Sequence, residues 1–197
     1  MNGERARVST SAGVAAIRDL READIEDVVR YWHESSAEHL ECLGIDRERL
    51  GSADDTHARF RDALPTGDTR QANIAFALTL DGEFAGYTLL NRYGPETNYS
   101  HWHITDARRR AAGLSTALYP HRIRIYFDAA PIERLIHQTR TRNVGVNRML
   151  DKFVPIAETA FIAQPDGVAR PGEFHIRYVR RTDVPRLFEI VMRRATT

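Results

Sequence analysis

The sequence predicts an α/β or α+β fold built around one mixed sheet. Segments whose apolar residues recur at helical spacing interleave with shorter apolar segments typical of strands. Asp81 and Gly82 lie between two such strand-like segments and predict a β-hairpin. No internal repeat or low-complexity tract divides the 197 residues, a length that suits one domain of ordinary size.

The N-terminal third of the chain predicts a tail, a strand and a largely helical region. Residues 1–14 are small and polar, and we expect a flexible tail there, followed by a single domain over residues 15–197. A strand is predicted at 15–20 and a helix at 23–35. The stretch 37–64 is predicted to be helical, with breaks at two glycines.

The remainder of the chain follows the same two patterns. Strands are predicted at 74–80, 84–90, 99–105, 132–139, 159–163 and 173–179. Helices are predicted at 114–127, 143–152 and 183–194. The last helix is rich in apolar residues, which could form a homodimer contact or simply cover the sheet.

Composition and charge argue against several classes of function. The formal net charge is +1, from 28 basic and 27 acidic residues, whereas nucleic-acid-binding domains usually carry a larger basic excess. No stretch approaches the ~20 apolar residues of a membrane span, and the first residues lack the apolar core of a signal peptide. Cys42 is the only cysteine, which excludes internal disulfides and cysteine-based zinc sites. The scattered histidines predict no metal site, and we expect a cytoplasmic protein.

The strongest chemical signal is a loop between a predicted strand and a predicted helix, from Arg108 to Leu118. Small residues in its centre let the backbone approach a ligand closely. The first amides of a helix lack partners within the helix and, with the positive end of the helix dipole, suit a phosphate. The three arginines 108–110 would add positive charge. A helix start beside a glycine and a few arginines is also common without any ligand.

This loop resembles the signature of a known family. The segment Arg110-Ala111-Ala112-Gly113-Leu114-Ser115 is similar to the Q/R-x-x-G-x-G/A signature of the Gcn5-related N-acetyltransferases (GNAT), with Ser115 in place of the last glycine or alanine. The order of predicted elements over roughly residues 15–181 also resembles that family. The resemblance implies a mixed, mostly antiparallel sheet flanked by helices. It also implies acetyl-coenzyme A, or another acyl-coenzyme A, as co-substrate.

The resemblance further implies where the donor would be held. Backbone groups of Ile104 and Thr105 would face the pantetheine and the thioester, where an amide could polarise the thioester carbonyl. Asn143 matches the asparagine that contacts the pantetheine arm. Where the family often has a tyrosine as general acid, this chain has Leu150, so another group, water or unassisted departure must serve the thiolate. The loop residues that would hold the pyrophosphate are Arg110, Ala111, Ala112, Gly113, Leu114, Ser115 and Thr116.

Two histidines on the strand 99–105 are the candidate catalytic groups. His101 and His103 share one face of this strand, while Trp102 and Ile104 lie on the other. An alkylammonium has a pKa of ~10.4, so a group with a pKa of ~6.5 helps to deprotonate the acceptor amine, directly or through a water. In the resembling family a carboxylate or histidine on this strand often has this role. His101 is the preferred base; His103 could bind substrate, and either could be a sheet histidine without chemistry.

The predicted function is therefore that of an N-acyltransferase. It would move an acyl group, most simply acetyl, from acyl-coenzyme A to an amine of a small molecule or peptide, by direct attack in a ternary complex. Arginines near Asn143, together with those at 108–110, allow an alternative donor, the phosphopantetheine thioester of an acyl carrier protein. A second alternative, supported by Leu150, is a non-catalytic protein that binds acyl-coenzyme A. No nucleic-acid or membrane partner is expected.

Overall fold

A computed structural model describes residues 3–110 and 112–195, which are organised by one eight-stranded sheet. The strands are β1 (Glu4–Thr10), β2 (Gly13–Asp19), β3 (Asn73–Leu80), β4 (Glu83–Arg92), β5 (Thr97–Ile104), β6 (Arg134–Arg140), β7 (Glu158–Ile162) and β8 (Gly172–Arg180). The helices are α1 (Glu22–Glu34), α2 (Ala37–Leu43), α3 (Ala53–Asp62), α4 (Leu114–Ala129), α5 (Val144–Leu150) and α6 (Val184–Ala195).

The sheet is mixed, as the sequence predicts, and mostly antiparallel, as the resemblance implies. Its strands lie in the order β1-β2-β3-β4-β5-β6-β8-β7, and β5 and β6 form its parallel pair. Alternate residues of β3 point to opposite faces: Phe76 packs in an apolar cluster with α4, whereas Ala75 and Ala77 pack in a cluster with α1 and α3. The helices therefore cover both faces of the sheet.

The N-terminal strand corrects one expectation. Residues 4–10 pair antiparallel with β2, so the prediction of a flexible tail over 1–14 is wrong for this segment. This polar segment is an edge strand. Ala6 and Val8 pack against the core, and Arg5 forms an ion pair with Asp19 at 2.8 Å. Edge strands expose one face and one side to water, which explains their polar composition. Residues 1 and 2 lie outside the described residues.

The predicted hairpin between β3 and β4 is confirmed. Asp81 and Gly82 have φ values of 51° and 84°, the left-handed pair that a tight two-residue turn requires. The Asp81 carboxylate also accepts a hydrogen bond from the Val14 amide at 2.8 Å. The turn thus fixes both the register of its own hairpin and the start of β2.

The feature that positions the candidate site is the parting of β5 from β6. The two strands pair only from Thr97 to Tyr99, although β5 continues to Ile104. Beyond this point the His137 ring bonds to the Ser100 carbonyl at 3.1 Å, in place of a backbone partner. The carboxyl ends of parallel strands lie at the same edge, so the loops that follow β5 and β6 flank the gap that opens there.

The closing helix α6 packs against α4. Leu187 is buried, and Val184, Ile190 and Val191 are partly buried against the same core cluster. These contacts account for most of its apolar residues, and a homodimer contact stays a prediction. None of the helices among the described residues has the length and apolar character that a bilayer span requires.

A buried histidine should make stability depend on pH. His137 is 1% exposed and lies between Ser100 and the Tyr119 hydroxyl; burial first, and then nearby Arg122, lowers its pKa to about 3. In the unfolded chain His137 has its ordinary pKa of ~6.5, so between pH 6.5 and pH 3 it is protonated in the unfolded state but not in the folded state. The free energy of unfolding therefore decreases as the pH falls from 6.5 toward 3. The loss approaches about 1.4 kcal/mol per pH unit.

Urea unfolding at pH 7 and pH 5 tests this expectation. His137→Gln should be less stable than the parent protein at pH 7, because a buried hydrogen-bonded ring is lost. It should nevertheless lose less stability than the parent between pH 7 and pH 5. Equal losses in the two proteins would contradict the proposed origin of the acid sensitivity.

Candidate active site

The N-terminus of α4 presents an uncapped backbone at the edge of the gap. Gly113 is its N-cap residue, with φ 80°, and none of the described side chains caps the helix. A Cβ built at Gly113 would meet nothing within 4 Å, so the backbone is approachable from this side. The helix has 16 residues, and its dipole adds partial positive charge at this end. Ala111, expected to contribute to this cradle, lies outside the described residues.

The side chains of the first helical turn leave the amides accessible. Leu114 is buried in the core, and the Ser115 hydroxyl accepts a hydrogen bond from the Trp102 indole at 3.2 Å. Both side chains therefore point toward the sheet. Trp102 lies on the α4 face of β5, as predicted, with the Arg122 guanidinium 3.7 Å from its ring centroid. Thr116 is partly exposed at the same turn.

The three arginines of the loop, all expected to add positive charge beside the helix start, differ in their partners. Arg108 binds both carboxylate oxygens of Asp106, at 3.1 and 3.0 Å. Arg109 pairs with Glu83 and with Asp106. Arg110 pairs with no carboxylate of the described chain, and its Nε donates to the Ile104 carbonyl at 3.1 Å. Arg110 is therefore the loop cation that a phosphate could attract.

The backbone of β5 offers one of the two expected amides. The Thr105 N–H donates to the Ala85 carbonyl at 3.0 Å, so the expected thioester contact through this amide is corrected. Ile104 and Gly86 are the adjacent non-hydrogen-bonded pair of the ladder. The Ile104 N–H and C=O consequently point away from β4, toward the gap. Ile104 alone keeps the expected backbone role.

Across the gap, Asn143 begins α5. Its side-chain oxygen accepts a hydrogen bond from the Val146 amide at 3.4 Å, which caps the helix. A contact with pantetheine would therefore use the amide nitrogen of Asn143. Leu150, at the position where the family often has tyrosine, is fully buried in the core and does not line the gap.

A buried polar network that the sequence did not predict fixes this side of the gap. Asn147 accepts hydrogen bonds from Thr139 at 2.6 Å and from the buried Arg177 at 3.1 Å. Its amide nitrogen donates to the Arg140 carbonyl at 2.8 Å, and Arg177 continues to Asp151 at 2.6 Å. In the sequence, this network could have been suspected only from Asn147, a second asparagine one helical turn after Asn143.

The two histidines of β5 share the face that α1 covers, as predicted. His101 Nε2 lies 2.9 Å from the Asn91 side-chain oxygen, and the Asn91 amide nitrogen donates to Asn73 at 2.7 Å. This network places the His101 proton on Nε2 and leaves a lone pair on Nδ1. Burial, followed by the positive charge of Arg122, lowers the pKa of His101 to about 4.

His103 is held by a different set of groups. Its Nδ1 lies 3.0 Å from the Tyr31 hydroxyl, which also lies 3.0 Å from His39 Nε2. The His103 ring packs against Trp32 and Tyr87, at centroid distances of 4.7 and 5.3 Å. Burial first, then the neighbouring charges, holds the pKa of His103 well below its usual range. Both histidines are therefore neutral at pH 7.

Cavity size does not identify this site. Two cavities of about 590 and 460 Å³ lie elsewhere, one between β1 and α4 and the other around residues 92–98 and 130–132. Neither is lined by the loop of α4 or by the β5 histidines. Over residues 3–110 and 112–195, no group of three or more His, Cys, Asp and Glu side chains could hold a metal ion.

Solved structures share this architecture. No protein-family model matches the sequence, and no curated protein matches it. Mycobacterium smegmatis RimJ in complex with CoA-disulfide matches at a TM-score of 0.70 and 18% identity, over 93% of this chain and 92% of that one. Aminoglycoside acetyltransferase AAC(6')-Ib in complex with coenzyme A matches at a TM-score of 0.65 and 16% identity, over 87% of this chain and 98% of that one.

A third solved structure points to the same fold. RimL, a ribosomal L7/L12 α-N-protein acetyltransferase in complex with coenzyme A, matches at a TM-score of 0.68 and 13% identity, over 89% of this chain and 98% of that one. At these identities the likeness establishes the fold and not the activity. The chain has the GNAT acetyltransferase fold, as the resemblance in its loop implied.

Two substitutions at Gly113 test the proposed phosphate cradle. Gly113→Ala and Gly113→Glu both place a Cβ at φ 80° and should share a backbone penalty of about 1–2 kcal/mol. Only the glutamate adds bulk and negative charge where the diphosphate would lie. In a thermal-shift titration with coenzyme A, Gly113→Ala should keep most of the ligand-induced shift and Gly113→Glu should lose it. Equal shifts in both variants would contradict a cradle at this turn.

Proposed function

We propose that this protein is an N-acyltransferase that transfers an acyl group from acyl-coenzyme A to an amine. One observation carries the proposal: β5 and β6 part beside the uncapped start of α4, and two neutral histidines lie on the same strand β5. The solved structures of RimJ, AAC(6')-Ib and RimL that share the fold contain coenzyme A or CoA-disulfide, which supports this donor.

The donor would be held by backbone groups on both sides of the gap. Its diphosphate would accept hydrogen bonds from the amides at the start of α4, with Arg110 beside them. Its pantetheine arm would follow the parted strand β5, where the Ile104 N–H faces the gap. Asn143, at the start of the opposing helix α5, would contact the arm from the other side.

The reaction would proceed by direct attack. The nitrogen lone pair of the neutral amine forms a bond to the thioester carbonyl carbon, the carbon–sulfur bond breaks, and the thiolate leaves with the electron pair. The amine gives up one proton to a histidine of β5. The Ile104 N–H would donate to the developing oxyanion. Because a thiol has a pKa of ~8.5, the thiolate can leave without the acid that Leu150 does not provide.

The paired charges around the gap support free coenzyme A over a carrier protein as donor. Arg108 and Arg109 bind carboxylates of Asp106 and Glu83. Arg142 and Arg170 both bind Glu41, at 3.2 and 2.7 Å. Of the arginines expected to form a basic rim, Arg108, Arg109 and Arg142 are thus paired with carboxylates, which weakens the attraction of this edge for an acidic carrier surface.

The class of acceptor is an amine, on a small molecule or on a peptide. Among the structures sharing this fold, AAC(6')-Ib is in complex with kanamycin, and RimL is described as an α-N-protein acetyltransferase. Both descriptions concern amino groups of larger molecules. We therefore propose a primary amine, reaching the histidines of β5 between α1 and α2.

Thiol release from acetyl-coenzyme A, measured with a panel of aminoglycosides and N-terminal peptides, tests the proposal. Turnover is expected with at least one amine, and His101→Ala/His103→Ala should lower kcat by about 10²–10⁴-fold while the Kd for coenzyme A stays unchanged. His175→Ala on β8 is the control and should behave as the parent. Coenzyme A binding without thiol release would instead identify a non-catalytic binder.

The depressed histidine pKa values predict an unusual pH profile. A base with an ordinary histidine pKa would lose activity as pH falls through ~6.5. With a pKa of about 4, His101 stays neutral well below that value, and His103 is shifted in the same direction. The kcat/KM should therefore rise with the deprotonation of the acceptor amine and show no inflection near pH 6.5. An acid limb at 6.5 that disappears in the double histidine variant would contradict this assignment.

A further inference from the structure

Four side chains from different elements form a continuous chain through the site. Arg110 NH1 lies 3.4 Å from His39 Nδ1, His39 Nε2 lies 3.0 Å from the Tyr31 hydroxyl, and that hydroxyl lies 3.0 Å from His103 Nδ1. The chain links the phosphate-binding loop to α2, α1 and β5. The Arg110 guanidinium also lies 5.9 Å from the centre of the Tyr31 ring.

The direction of these hydrogen bonds follows from the arginine. A guanidinium can only donate, so His39 Nδ1 accepts and the neutral His39 carries its proton on Nε2. His39 then donates to the Tyr31 oxygen, and Tyr31 donates to His103 Nδ1. His103 is left with its proton on Nε2, which makes no hydrogen bond within the part of the chain that the structure describes. With Arg110 in place, His103 has no free lone pair to accept a proton.

Among the described residues around the chain, Arg110 is the charged group that sets the direction of its hydrogen bonds. The rings packed on His103 belong to Trp32, Tyr87 and the neutral His101, 5.9 Å away between ring centroids. None of them carries a charge that would orient the chain, and no described carboxylate hydrogen-bonds to any of its four members. Arg110 is also the first residue of the loop signature, where it would meet the donor's diphosphate.

We propose that the chain Arg110–His39–Tyr31–His103 is a donor-gated proton relay, in which binding of the donor's diphosphate draws Arg110 away and lets the chain reverse. This inference rests on the proposed acyltransferase function and identifies its base. In the reversed chain His103 donates from Nδ1 to Tyr31, and Tyr31 donates to His39 Nε2. His103 Nε2 then holds a lone pair that can take the proton of the acceptor amine.

The protons balance through one cycle. On reversal, His39 passes its Nε2 proton to Tyr31, Tyr31 passes its own to His103 Nδ1, one solvent proton binds His39 Nδ1, and the His103 Nε2 proton leaves to solvent. When the amine attacks, its proton binds His103 Nε2, the two inner protons move back, and His39 Nδ1 releases one proton to water. The original arrangement is restored, and in the attack step one proton has passed from the acceptor amine through His103 and Tyr31 to the half-exposed His39 and then to water.

This assignment separates the two histidines of β5. His101 bonds to Asn91 and through it to Asn73, and neither amide can carry a proton onward. His103 is the one joined to a titratable group near solvent. Tyr31, His39 and Arg110 are positioning residues that act through His103. The preference for His101 as base, drawn from the sequence, is replaced by His103 in this proposal.

Histidine tautomers measured by ¹⁵N NMR, without and with coenzyme A, test the relay. Without ligand, His39 and His103 should both be protonated on Nε2; with coenzyme A both should change to Nδ1, while His101 should not change. Arg110→Met should give the Nδ1 pattern without ligand, and Arg108→Met, the matched control, should behave as the parent. Coenzyme A binding with unchanged tautomers would overturn the relay alone; absence of binding would overturn the proposed function as well.

Steady-state kinetics give a second readout. His39→Gln keeps a hydrogen-bonding side chain on the half-exposed helix α2 but cannot pass a proton. It should lower kcat by about 10²-fold with the KM for acetyl-coenzyme A unchanged. Tyr31→Phe should break the chain so that coenzyme A changes the tautomer of His39 and not that of His103. Parent-like kcat in His39→Gln would overturn the relay.

Discussion

The parting of β5 from β6 after Tyr99 is the constraint on which the rest of the site depends. Two parallel strands that separate inside a sheet leave backbone donors and acceptors without partners, and such groups are costly unless something else satisfies them. His137 satisfies the Ser100 carbonyl and Arg110 the Ile104 carbonyl. The Ile104 N–H remains directed into the gap, where an extended ligand with amide groups can take the place of the missing strand.

The electrostatics around the gap suit a neutral nucleophile. The histidines of β5 lie among aromatic rings, and no carboxylate of the described residues bonds to them, which favours the uncharged imidazole. In the loop before α4, Arg108 and Arg109 are paired with carboxylates, whereas Arg110 pairs with no carboxylate of the described chain and can respond to an anion. The unpaired loop arginine therefore lies at the point where a diphosphate would lie, and the described residues place no carboxylate on the two histidines of β5.

Local patterns predicted the parts of the molecule that depend on local chemistry. The helix α1, the hairpin at Asp81-Gly82 and the glycine-containing start of α4 follow from spacing and turn preferences, and the structure has all three. The edge strand β1 was not predicted because its residues are mostly polar, and they form a strand only through pairing with β2. The network of Asn147 with Arg177 and the chain from Tyr31 to His103 join residues 30 and 72 positions apart, which no local pattern encodes.

Amide hydrogen exchange with coenzyme A tests the central claim most directly, because it observes the backbone groups themselves. If the gap beside α4 holds the donor, coenzyme A should slow exchange at Leu114, Ser115 and Thr116 and, in the same titration, at Ile104. Protection confined to the cavity between β1 and α4, or to the surface around residues 92–98, would place the ligand elsewhere and contradict the account.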